Sequence, residues 1–113
     1  MLIFICKKFM ATLYKNTARS NIGTTFQTIY IVPVNSTSIL TSIYFSNKTN
    51  VELQFDLVIT IDDLDFYLSR QTTLLPQCTI VIDKEVNMLA RNSLKVKTNS
   101  GTVDVFASIT ELT

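Results

Sequence analysis

Between Val51 and Asp62 apolar and polar side chains alternate almost without interruption. Val51, Leu53, Phe55, Leu57, Ile59 and Ile61 hold every second position, and Glu52, Gln54, Asp56, Thr60 and Asp62 hold all but one of the others. Successive side chains of a strand point to opposite faces of a sheet, so this spacing predicts a strand with one buried face and one wet face. A helix would spread the same apolar residues around its whole circumference.

The same period recurs along the chain in short runs separated by turn signals. Ala11 to Lys15 reads as a short first strand, followed by a loop over 16–24 in which Gly23 is expected to turn with positive φ. Thr25 to Val34 reads as a strand with Ile29 and Ile31 on one face, and Pro33 marks its end or an edge position. Ser38 to Phe45 places Ile39, Ile43 and Phe45 on one face and Ser42, Tyr44 and Ser46 on the other. After a bend at Asp62-Asp63, Leu64, Phe66 and Leu68 alternate with Asp65, Tyr67 and Ser69, and Leu74-Leu75-Pro76-Gln77 closes that region. Cys78 to Asp83 follows as a strand, and the segment from Lys84 to Asn92 fits either a strand or a single helical turn. Ser93 to Thr98 and Thr102 to Thr110 are in-and-out strands around an Asn99-Ser100-Gly101 turn, the latter with Val103, Val105, Ala107 and Ile109 inward.

Seven to nine short strands without a helix of ordinary length predict an all-β, single-domain antiparallel two-sheet β-sandwich, Ig-like or jelly-roll-like. One wet face per strand excludes a doubly wound parallel sheet, which buries both. A chain of 113 residues is long enough for one core. Residues 1–10 are apolar for only a few positions, and Lys7 and Lys8 follow the apolar run, the wrong order for a signal peptide. Met10-Ala11-Thr12 reads as a second start, so residues 1–10 are expected to be a flexible arm or an upstream-start extension, with the sandwich over 11–113.

Composition removes several function classes. There is no histidine, hence no imidazole base, triad or common metal ligand. Cys6 and Cys78 are far apart in apolar surroundings and read as free buried thiols. Two glycines cannot build a phosphate cradle. A net charge of +1 offers no electrostatic case for nucleic acid or a membrane as partner. Asp62, Asp63 and Asp65 are the one cluster resembling a cation site, but IDDLDFY lacks the glycine and terminal Glu of a calcium loop and reads as a solvated turn. We therefore expect no enzyme and assign no catalytic, cofactor-binding or metal-ligating residue.

What remains is contact chemistry. Tyr30, Tyr44 and Tyr67 fall out of phase with their apolar neighbours, and such tyrosines either cover a sheet margin or bind a partner. Lys7, Lys8, Lys15 and Arg19 have no acidic neighbour in sequence, whereas Glu52, Asp56, Asp62, Asp63 and Asp65 have no basic one. A basic N-terminal region docking on an acidic surface of a neighbouring copy is one reading, and ordinary solvated charge is the other. Tyr30, Tyr44, Tyr67, Lys15 and Arg19 are the candidate interaction residues.

Four segments resemble a small β-sandwich protein family of tailed bacteriophage virions. ATLYKNTARSNIGTTFQTIYIVPVNSTSILTSIYFSN contains a Tyr-x-Val-Pro phrase at Tyr30-Ile31-Val32-Pro33. FYLSRQTTLLPQCTIVIDK carries a Leu-Pro turn between strands, and VNMLARNSLKVKT is similar to a segment that usually reads Leu, small, Gly, Asp before a Leu-Lys-Val strand. GTVDVFASITEL resembles the terminal strand, with its Val-Asp-Val and its Glu-Leu. The chain departs from the pattern at Arg91-Asn92, where Gly-Asp is usual, and in its apolar leader. The resemblance implies a virion protein made in the host cytoplasm, acting as capsid decoration or a tail or neck subunit. Its implied partners are major capsid, neck or tail proteins and further copies of itself. A glycan- or receptor-binding module of a tail fibre is the alternative, with Tyr44, Tyr67, Asp63 and Asp65 as its candidates. A cellular sandwich of other role is a third reading.

Overall fold

The computed structural model describes residues 11–113, and the expected arm at 1–10 lies outside them. Nine strands follow in order: β1 (Thr12–Ile22), β2 (Gln27–Ile31), β3 (Thr37–Ser46), β4 (Leu53–Ile61), β5 (Leu64–Leu74), β6 (Thr79–Ile82), β7 (Val86–Met88), β8 (Ser93–Thr98) and β9 (Val103–Leu112). In sheet I the order is β1-β9-β3-β6, with β7 also on β3; sheet II is β2-β8-β4-β5. Every pairing is antiparallel. The two-sheet antiparallel sandwich expected from the alternation is the observed fold.

The core lies between the sheets. Sheet I contributes Leu40, Ile43 and Phe45 from β3 and Val103, Val105, Ala107 and Ile109 from β9; sheet II contributes Leu53, Phe55, Leu57 and Ile59 from β4 with Leu94 and Val96 from β8. Phe45 and Phe55 stack across the gap, ring centroids 4.0 Å apart and planes 18° from parallel. Burying each ring contributes about 1.5–3 kcal/mol, and an aromatic pair adds about 0.5–1.5 kcal/mol.

Several elements differ from the simple alternation, each for a local reason. β1 continues to Ile22, through the segment expected to be a loop, because β9 pairs with it along its length while its polar side chains stay outside the core. Gly23 does not supply the left-handed turn there; Asn21 does, with φ 57°. In β2 the register skips Ile29, which is buried, and leaves Ile31 exposed instead of on the same face. In β3 the register skips Thr41, so Ser38 and Leu40 point inward before it and Ile43 and Phe45 after it, and Ile39 faces outward. A bulge reverses the phase of alternation, which a strict two-residue period cannot anticipate. Val51 and Ile61, at the ends of the apolar run, are exposed; Cys78 is exposed as well, not buried. The ambiguous segment after Asp83 forms the strand β7.

With so few glycines, other residues take left-handed positions. Asp62 and Asp63, φ 51° and 65°, form the two-residue turn between the paired Ile61 and Leu64, the primed geometry suited to a tight hairpin. Asn35, Gln77 and Arg91, φ 71°, 54° and 70°, each take the third place of a turn closed by Ser36 N to Pro33 O, Cys78 N to Leu75 O, or Asn92 N to Leu89 O. Arg91 thus occupies a conformation that glycine adopts without strain.

Candidate interaction surface

The five candidate residues separate into four places. Tyr30 and Lys15 meet around Glu111, an inward-facing residue of β9 only 2% exposed. The Tyr30 hydroxyl donates to Glu111 Oε2 and is also 2.8 Å from the Ser38 hydroxyl, while Lys15 Nζ lies 2.9 Å from Glu111 Oε1. One carboxylate therefore ties β1, β2 and β9 together, joining sheet I to sheet II. Burial alone would raise the Glu111 carboxyl, but the hydrogen bonds from Tyr30 and Lys15 outweigh it and hold the carboxyl below its ordinary value. Burial, together with the bond to Glu111, pushes the Tyr30 phenol up to about 12. Lys15 accordingly has an acidic partner within its own chain, and this part of the basic region is not free to seek one elsewhere. The arrangement is structural.

Tyr44 lies on the outer face of sheet I, whereas Arg19, paired with the inward Val105, projects to the inner side of β1, where its guanidinium donates to the Thr17 hydroxyl and the Ala18 carbonyl. Cross-strand pairs place Ala18 opposite Phe106, Phe106 opposite Tyr44, and Tyr44 opposite Val81. Directly paired residues project from the same face, so these four form one apolar row across four strands. Phe106 and Tyr44 are 41% and 39% exposed, and their rings meet edge-on with centroids 6.0 Å apart. Below the row lie Asn16, Ser108 and Ser42, and below those Tyr14, Thr110, Ile39 and Asn87. Above it, a shallow groove of about 360 Å³ is bounded by Arg19, Ser20, Ser46 and Asp104. Asp104 accepts the Asn21 amide at 2.9 Å and faces Lys48 at 3.3 Å. Asp104 and Lys48 thus sit at the upper rim of this face, Asp83, Lys84 and Glu85 lie along its β6–β7 side, and its middle is hydroxyls, amides and aromatic rings.

Tyr67 belongs to the other outer face, that of sheet II. There Asp56 is paired with Lys97 across the ladder, and Lys97 Nζ and Lys95 Nζ lie 3.9 Å from Asp56 and Asp65. Arg70 stacks over the Tyr67 ring at 5.0 Å. Val58, the single apolar residue at the wet phase of β4, is fully buried, with Lys95 and Tyr67 as its paired neighbours. Asp56 also caps a bulge in β5 by accepting the Gln71 amide at 2.6 Å. Asp56 and Asp65, two of the five acids with no basic neighbour in sequence, therefore find one across the sheet.

Asp62, Asp63 and Asp65 do not converge on a cation position; among the described residues no three acidic or cysteine side chains gather as a metal site. Asp63 borders a polar cleft with Arg91, Asn92 and Lys95. Tyr44 lies on sheet I and Tyr67, Asp63 and Asp65 lie on sheet II, so these four do not share one pocket.

No known family model matches the chain, and no curated protein sequence matches it. Among solved structures it is similar in fold to a chain from the crystal structure of the T13 IBDV viral particle, at 9% identity and a TM-score of 0.51. The likeness covers 99% of this chain and 38% of that one, so this chain spans well under half the length of its structural neighbour.

Two residues central to these arrangements escaped the sequence reading. Phe106 is out of phase with Val103, Val105, Ala107 and Ile109, a signal of the same kind that singled out the tyrosines. Glu111 continues that inward phase, which marks it as a buried acid needing partners.

Proposed function

We propose that this chain is a non-enzymatic structural component of a virion that works through protein–protein contacts. The observation that carries the proposal is the charge-free row of Ala18, Phe106, Tyr44 and Val81 across the outer face of sheet I, beside the ion-paired outer face of sheet II. Interface cores are depleted of charge and enriched in aromatic residues, whereas a face built only to be wet has no such requirement. The fold likeness to a chain of a viral particle supports this reading. The strand-and-turn phrases around Tyr30-Ile31-Val32-Pro33 and Glu111-Leu112 favour a tailed bacteriophage particle, as capsid decoration or a tail or neck subunit, with other virion proteins as neighbours.

The test is mass spectrometry of gradient-purified, nuclease-treated particles from the source of the chain. The proposal expects the chain in many copies per particle. Its presence in the soluble fraction alone, with none in particles, overturns it.

A further inference from the structure

We infer that the cleft between the β4–β5 turn and the turn before β8, at one end of the outer face of sheet II, is a binding site for a neutral sugar. The inference goes beyond the assembly reading and stands on different residues.

The cleft has a volume of about 340 Å³, within the range of roughly 300–1,000 Å³ usual for small-molecule sites. Thr60 and Ser93 are direct partners in the β4–β8 ladder, and Lys95 lies two residues along β8. All three therefore project from the same face and form the floor. The walls are two tight turns. Asp62 and Asp63 make one of them, and Arg91 holds the left-handed place of the other, closed by Asn92 N to Leu89 O.

Two groups lining this cleft are buried without a partner. Ser93 and Asn92 are 9% and 7% exposed, and among the described residues neither the hydroxyl nor the carboxamide has a hydrogen-bond partner. Every fully enclosed polar side-chain atom of the described residues is satisfied, so these two groups keep a narrow opening to solvent, and the cleft they line provides it. A group nine-tenths withdrawn from water gains from a ligand that completes its hydrogen bonds, because most of its desolvation has already been met. Thr60 differs: its hydroxyl donates to Asp65 Oδ1 at 2.6 Å, and Lys95 Nζ lies 3.9 Å from the same oxygen. On the walls, Asp62, Asp63 and Arg91 have no ion-pair partner among the described residues.

One ligand chemistry answers all of these groups. An apolar molecule would close Ser93 and Asn92 off from water and leave them unpaired, which costs free energy. An anion would meet two carboxylates, and a cation would meet Arg91 and Lys95. A neutral hydroxyl both donates and accepts: it donates to Asp62 or Asp63, accepts from Arg91, and does either with Ser93 and Asn92. A sugar ring carries several hydroxyls at fixed spacing on a rigid frame, so little freedom is lost when they bind. Of the four residues considered above for a glycan site, Asp63 alone lines this cleft.

The experiment follows backbone amide shifts of the full chain by nuclear magnetic resonance while glucose, galactose and mannose are added singly into the millimolar range. At least one hexose should give saturable shifts confined to residues 60–63 and 90–95. Ser93→Ala should weaken that binding by on the order of 10-fold, the value of one hydrogen bond, and should leave the fold intact because the hydroxyl has no partner within the protein to lose. Asp63→Asn keeps a residue that tolerates the left-handed turn and removes the charged acceptor, so it should weaken binding at least as much. Asp83→Asn, outside the cleft, should leave it unchanged. Methyl glycosides of the same hexoses, blocked at the anomeric position as in a longer chain, separate the two sources: equal binding indicates a glycan, and binding of the free sugar alone indicates a free saccharide. The inference is overturned by the absence of saturable shifts with all three hexoses, by shifts centred elsewhere, or by affinities that Ser93→Ala and Asp63→Asn leave unchanged. Saturation by glycine or inorganic phosphate with no response to hexoses would show a cleft that recognises charge, and overturns the sugar as well.

Discussion

Replacing Glu111 by Gln isolates the charge of the buried carboxylate while keeping its shape. Glu111 accepts from Tyr30 and pairs with Lys15, so two hydrogen bonds lose their charge assistance together. Hydrogen bonds to charged groups contribute about 1.5–3 kcal/mol against about 0.5–1.5 kcal/mol for neutral ones. The Lys15 side chain is about half exposed, which reduces its share through solvent screening. The expected loss at pH 7 is about 1–2 kcal/mol, read as a lower urea midpoint at unchanged slope. The pH dependence follows from the direction of the shift. The native carboxyl titrates below its ordinary 4.5, so its contribution is present above that value and is lost as pH falls through the native value. Wild type should therefore lose stability on acidification that Glu111→Gln lacks, and the gap between them should close at low pH. Urea unfolding of both proteins at pH 7 and at stepwise lower pH tests this. A gap that stays constant to pH 2, or a Gln variant as stable as wild type at pH 7, refutes the reasoning.

Other consequences follow from single contacts. Tyr30→Phe should remove an alkaline sensitivity: the phenol is raised to about 12, so its contribution is complete below its ordinary 10.0 and is lost as pH rises through the native value. Melting curves between pH 8 and pH 12 would show wild type falling more steeply than the variant. Phe55→Asp should abolish the soluble fold, since a charge would replace a fully buried ring stacked on Phe45; a soluble variant with an unchanged melting transition counts against the assignment of β4. Arg91→Gly should stabilise the protein by about 1 kcal/mol by relieving a left-handed residue, offset in part by the greater freedom of the unfolded chain. A clear drop in melting temperature would contradict it. Asn47 is buried, donates to the carbonyls of Val51, Leu74 and Leu75 and accepts the Thr49 amide. Asn47→Ala should cost about 2–3 kcal/mol in a urea titration, and a loss under 1 kcal/mol would show those carbonyls satisfied otherwise.

The alternation in β4, β8 and β9 was legible because these central strands have a full neighbour on each side and one continuous buried face. Inward residues such as Phe55, Val96 and Val105 could be named from spacing alone. β1 was not legible over its full length: its side chains are mostly outside the core, and what makes it a strand is the ladder to β9, which no local pattern records. The bulges at Ile29 and Thr41 misled for a different reason. Each inserts one residue and reverses the phase, so Ile31 and Ile39 look inward by counting and are not. Tyr44 and Tyr67 face outward, but Tyr30, shifted by the bulge at Ile29, pairs with the buried Leu94 and packs against the core. Phase distinguishes inside from outside, not one outer face from the other. Tyr44 and Tyr67 therefore looked alike in sequence and lie on opposite sides of the molecule. Tyr30 and Glu111, distant in sequence, belong to two of the phrases on which the phage resemblance rests, and they meet each other.

The charge-free row across the outer face of sheet I is not explained by the stability of a single chain. Exposed ion pairs such as Lys95 with Asp65 contribute about 0–1 kcal/mol, so placing four charges on sheet II does little for folding. Solubility would be served equally by charges on either face, or better by charges on both. The core constrains neither face, because outward positions in β3, β4, β8 and β9 all alternate with buried ones and accept any residue suited to a strand. An aromatic row centred on Phe106 and Tyr44, ringed by hydroxyls, is instead an arrangement that gains from being covered. The same residues in a monomer would leave half-exposed rings in water without return. A contact specific to that face supplies the missing reason, and it predicts that adding charge at Phe106 changes assembly far more than it changes the melting temperature.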